Sequence, residues 1–142
     1  NFWTSGYADT SAGGTWTEDH SVGVTQEWVS ITSSSDGTKL AAVAKNANIW
    51  ISGDSGTTWT EDFSVGMTQD WTSIISSSEG TKLVAVVRYG NAWTSGYADT
   101  SAGGTWTEDH SVGVTQEWVS ITSSSDGTKL AAVAKNANIW IS

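Results

Sequence analysis

Three adjacent acidic pairs, Glu18-Asp19, Glu61-Asp62 and Glu108-Asp109, carry the first chemical question. Two carboxyl groups can hydrolyse a glycosidic bond, one as general acid and the other as base or nucleophile. The pair stands at three corresponding places, however, whereas an active site is singular. Repetition of this kind describes a solvated edge. His20 and His110 follow two of the pairs and would offer imidazole nitrogen to a metal. Phe63 holds the corresponding place after the third pair, which suits a packed or half-exposed aromatic ring better than a ligand. Asp36-Gly37 and Asp126-Gly127 lack the dense acidic spacing of a calcium loop and read as turns. The chain has no cysteine, hence neither thiolate ligands nor disulfides. No catalytic residue, metal or cofactor is expected.

Aromatic rings near loops offer a different chemistry, stacking on sugar rings. Tyr7 and Tyr97 are the candidates, and repetition would give several equivalent sites, so a carbohydrate-binding function is the alternative reading. The ten tryptophans are more simply core, because they recur at fixed places. Fifteen acidic residues against six basic ones give a net charge of −9. That argues against direct binding of nucleic acid or an anionic membrane, since both need basic clusters. No apolar run approaches the ~20 residues of a membrane helix, so no membrane insertion is expected.

The elements that position these residues are repeats. Residues 1–52 return as 91–142 with one difference, Phe2 against Ala92. Between the copies lies a related unit: residues 15–52 align without gaps on 58–95. Repeats of this length stack as supersecondary units that bury their faces on one another. The middle unit reads as four strands. Residues 70–77 (DWTSIISS) precede a turn at Ser78-Glu79-Gly80-Thr81, and 82–87 (KLVAVV) has the apolar continuity of a strand covered on both faces. Tyr89-Gly90-Asn91 is the next turn, 92–95 (AWTS) the third strand, and 57–62 (TTWTED) the fourth. No segment has a helical apolar period. Four short antiparallel strands in a repeat of this length match one propeller blade.

Ser52-Gly53-Asp54-Ser55-Gly56-Thr57-Thr58-Trp59 follows the pattern S-x-D-x-G-x-T-W. It resembles the Asp-box, or BNR repeat, of sialidase-like and photosystem-assembly-factor-like β-propellers. The surrounding W-x-S-I-x-S-S-S-x-G-T-K-L-x-A-V is similar to tandem extracellular repeats with such hairpins, which implies an extracellular or cell-surface protein. In that family the box links the outer two strands of a blade. The resemblance implies that Ser52, Asp54, Gly56 and Thr58 make the turn's own hydrogen bonds, while Trp59 packs in the blade. The physics agrees: Asp and Ser bond nearby backbone amides, Gly permits positive φ, and Trp has large apolar area to bury. The first and third units keep Ser, Asp, Gly, Thr and Trp in a longer loop, so Asp9 and Asp99 do not inherit the role of Asp54. Sialidase chemistry needs an arginine cluster and a tyrosine nucleophile. Arg88 is the sole arginine, so no such activity is expected.

The sequence thus predicts one all-β repeat domain over 1–142, with four-stranded propeller-type units at about 1–47, 48–90 and 91–137. Residues 138–142 duplicate the strand type of 1–5. Three blades do not close a propeller, for which four is the usual minimum. The chain is therefore expected to be completed by oligomerisation or to belong to a longer array. Phe2, Trp3, Ile139 and Trp140 mark the ends through which a non-catalytic, self-assembling homo-oligomer or filament would associate head to tail.

Overall fold

The computed structural model describes residues 2–5, 16–96 and 105–142; the side chains of 2–5, 16–17 and 96 are not described. Among the described residues the chain is all-β, with no helix. The strands are β1 (Phe2–Ser5), β2 (Trp16–Asp19), β3 (Trp28–Ser33), β4 (Leu40–Ala47), β5 (Ile49–Ser52), β6 (Thr60–Asp62) and β7 (Gln69–Ser76). There follow β8 (Lys82–Gly90), β9 (Ala92–Gly96), β10 (Thr105–Asp109), β11 (Gln116–Ser123), β12 (Leu130–Ala134) and β13 (Ile139–Ile141).

All pairing among the described strands is antiparallel, and within each meander it joins chain neighbours. β3–β4–β5–β6 form one meander. β7–β8–β9–β10 form the second. β11–β12–β13 form the third, and β1–β2 pair as a separate hairpin. The registers repeat: Trp28 faces Ala44, Trp71 faces Val87 and Trp118 faces Ala134, each beside a bulge. A bulge sharpens strand twist, which lets successive meanders lie across one another. The last residues of β4 pair with the start of β7, Lys45 with Asp70 and Ala47 with Gln69. β8 joins β11 in the same way. The resulting sheet does not close on itself.

The continuous apolar runs are explained by burial on two sides. In β4, Ala41 and Val43 face one core while Ala42 faces another. In β8, Leu83, Ala85 and Val87 pack with that first group, and Val84 and Val86 pack with Trp118 and Ile121. Period-two alternation sends neighbouring side chains to opposite faces, so a strand between two layers must be apolar at every position. Serines tie the first strands together along their length. Ile74 N donates to Ser30 Oγ at 3.2 Å, and Ser76 Oγ donates to Ser33 O at 2.7 Å. Ser35 N donates to Ser78 O, and Ser78 N to Ser125 O. The serine runs therefore bridge meanders.

Two boundaries differ from the sequence expectation. β8 continues through Gly90, where a turn at 89–91 was expected, because its far end pairs with β11. Tyr89 there takes the left-handed conformation (φ 56) that Asn46 and Asn136 take at the same place. Asn reaches it easily, whereas a ring-bearing residue is strained. β6 spans only Thr60–Asp62, because Thr57 and Thr58 are held in the preceding turn.

Candidate functional site

The turn between β5 and β6 is organised by one carboxylate. Asp54 accepts from Thr58 N at 2.9 Å, Thr58 Oγ1 at 2.7 Å and Ser52 Oγ at 2.8 Å. Ser52 Oγ in turn accepts from Gly56 N at 2.9 Å. Gly56 has φ 86, which a side chain would resist. Trp59 follows and is buried with Ala42 and Trp50. Tyr7, Asp9, Tyr97 and Asp99, the candidates in the longer loops, lie outside the described residues.

The same chemistry recurs at the turns after β3 and β11. Asp36 accepts from Ser34 Oγ, Thr38 N and Thr38 Oγ1, and Asp126 accepts from Ser124 Oγ, Thr128 N and Thr128 Oγ1. The serine hydroxyl, then the threonine amide and hydroxyl, hold both carboxyls down at about 2. The Thr58 hydroxyl and amide, and then Ser52, lower that of Asp54. Hydrogen bonds to the ionised form are the cause. The sign follows from linkage. A depressed folded-state value stabilises the fold above the unfolded carboxylate range, and this is lost as pH falls through the folded value. Melting temperature should accordingly drop between about pH 4 and about pH 2. A chain carrying Asp36→Asn and Asp126→Asn should show a shallower drop in a thermal scan. An unchanged slope would contradict this account of the turns.

The acidic pairs divide between two environments. Asp62 is only 5% exposed, and its Oδ2 accepts the Trp106 indole N–H at 2.9 Å while Oδ1 accepts Ser64 N. Asp19 does the same with the Trp59 indole, at 2.9 Å, and Ser21 N. The expectation of a solvated edge therefore fails for Asp19 and Asp62. Strand alternation puts each Asp and its neighbouring Glu on opposite sides, so the two carboxyls of a pair do not converge. No local signal in the sequence marks these bonds, because each aspartate meets a tryptophan at least 40 residues further along the chain. Each indole crosses to the aspartate of the preceding unit.

Phe63 is 66% exposed, and His20 and His110 are also exposed, so this place is open rather than packed. The histidine rings lie 3.7 Å and 3.5 Å from Glu18 and Glu108. Among the described residues no three His, Cys, Asp or Glu converge as metal ligands.

Three tryptophan pairs lock first strand to third strand in the meanders: Trp28–Trp50, Trp71–Trp93 and Trp118–Trp140, edge to face at 6.1–6.5 Å. Trp140 thus faces Trp118. Ile139, on the opposite side of β13, is exposed. The side chains of Phe2 and Trp3 are not described, but β1 pairs with β2 as β9 pairs with β10: Trp3 faces Glu18, and Trp93 faces Glu108.

The outer face of β12–β13 is the most unusual surface. Ala131 pairs with Ile141 and Val133 with Ile139, in the register that Ala41 and Ile51, and Val43 and Ile49, use in β4–β5. The residues are the same and their surroundings are not. Val43 and Ile49 are each 0% exposed, whereas Val133 is 40%, Ile139 69% and Ile141 82% exposed. The inner copy is covered by the Trp71, Leu83 and Ala85 face of the second meander. At the other end Ile31 is 53% exposed, although its counterparts Ile74 and Ile121 are buried.

The sequence matches no model of a known protein family and no curated protein.

Proposed function

We propose that this chain is a non-catalytic, extracellular structural repeat protein, built of three propeller-type blades, that assembles head to tail with copies of itself. The observation that carries the reading is the contrast between the two copies of one face. Val133, Ile139 and Ile141 present to solvent the surface that Val43, Ile49 and Ile51 bury against the next unit. An apolar face beside an unpaired strand edge invites strand addition. Ile31 at the far end offers a complementary apolar spot, on the face that receives such a surface inside the chain. The Asp54 turn supports the propeller reading, since it joins the third and fourth strands of a meander.

Sedimentation velocity on the 142-residue chain at micromolar concentration should show species at multiples of 15.0 kDa. The double variant Ile139→Glu, Ile141→Glu should sediment as a monomer with unchanged far-UV circular dichroism. Both side chains are exposed within one chain, so the fold has no need of them. A stable wild-type monomer would overturn the proposal.

A further inference from the structure

Each complete meander buries the tryptophan of its fourth strand in a seat of constant composition. For Trp106 in β10, the seat is formed by Trp71, Ile74, Leu83 and Ala85, with Val65 and Trp93 packed alongside. Asp62 of the preceding unit takes the indole N–H. Trp59 in β6 is held in the same way, with its N–H on Asp19.

Among the described residues, the third meander shows the same seat with no fourth strand in it. A cleft of about 290 Å³ lies beside β12 and β13, walled by Trp118, Ile121, Leu130, Ala132 and Trp140, with Val112 and Asp109 at its end. These are the counterparts, position by position, of the residues around Trp106. The carboxylate is also set in the same way. Asp109 Oδ1 accepts Ser111 N at 2.8 Å, as Asp62 Oδ1 accepts Ser64 N at 2.8 Å. Among the described residues, no indole N–H meets the other oxygen of Asp109.

We propose that this cleft is a receptor for a tryptophan-bearing β-strand, and that its occupant is β2 of a second copy, with the Trp16 indole donating to Asp109. The choice of occupant follows from the sequence and register of β2. Trp16-Thr17-Glu18-Asp19 repeats Trp106-Thr107-Glu108-Asp109. Trp16 faces Ser5 in β1 as Trp106 faces Ser95 in β9. Among the described strands β13 pairs with β12 alone, which leaves an outer edge on which a fourth strand adds by backbone hydrogen bonds. β1 and β13 are the same kind of strand, so one of the two yields when the hairpin docks.

The inference rests on the head-to-tail reading and adds its recognition chemistry, so the test separates the two. Self-association is measured by sedimentation for wild type, Trp16→Ala and Asp109→Ala, and for the double variant. Each single variant should weaken association at least tenfold, and the double variant should be no weaker than the worse single one, because both remove one contact. A synthetic peptide of residues 12–20 in millimolar excess should dissociate the assembly, and the same peptide with alanine for tryptophan should not. Wild-type assembly that both variants and the peptide leave intact would overturn the seat while leaving head-to-tail association standing. A wild-type monomer that binds the peptide in calorimetry, and loses it on Asp109→Ala, would retain the seat and overturn the assembly.

Discussion

Replacing Trp71 with alanine should remove about 3–5 kcal/mol of stability, the range for truncating a buried large aromatic. Trp71 has no exposed surface and lies where the first and second meanders meet, against Ala41, Val43 and Ile49. It also stacks edge to face on Trp93 at 6.5 Å and donates its indole N–H to Ala47 O at 2.9 Å. Truncation therefore leaves a cavity between two layers and a buried carbonyl without its donor, and the layers cannot close the gap without breaking the β4–β7 pairing. Total stability of a domain is about 5–15 kcal/mol, so the variant should sit near its unfolding threshold. Urea denaturation followed by tryptophan fluorescence measures this. Trp28, its counterpart in the first meander, is only half-buried, and Trp28→Ala should cost clearly less. Equal losses at the two positions would show that burial between meanders is not what stabilises the fold.

A carboxylate at Val43 should cost about 4 kcal/mol or more, while the same change at Val133 should cost under about 1 kcal/mol. Burying a valine contributes roughly 1.5–3 kcal/mol, and an unpaired buried charge adds several more. Val43 is enclosed by both layers. Val133 sits in the same local sequence, Ala-Ala-Val-Ala-Lys, but at an open face. Val43→Asp should unfold at markedly lower denaturant, whereas Val133→Asp, measured on dilute protein, should unfold like wild type. The second variant should instead lose self-association. Similar destabilisation by both would mean that the β12–β13 face is covered within the single chain.

This pair marks where the sequence stops being informative. Residues 40–45 and 130–135 are identical, so no reading of local pattern distinguishes a buried valine from an exposed one. The turn around Asp54 was legible because its bonds run within a few residues, and short-range geometry follows from residue type. The strands were legible for the same reason: β-branched and apolar runs bounded by Gly and Asp leave little choice of element. The role of Asp62 was hidden, because its partner, Trp106, lies 44 residues away on another meander. An acidic pair reads as solvated until a neighbouring layer covers one of its members.

By itself, then, the sequence determined an all-β chain of repeated short strands, its turns, and the two-sided apolar character of the middle strands. Those properties follow from backbone propensity and period-two alternation, which each segment carries locally. Only the tertiary structure decided which face meets which. It sent the Trp59 and Trp106 indoles to aspartates of the preceding unit, and covered Val43 and Ile49 while leaving Val133 and Ile139 open. Burial depends on what the chain stacks against each face, and identical segments acquire different environments once one lies between two layers and the other at the edge of the stack.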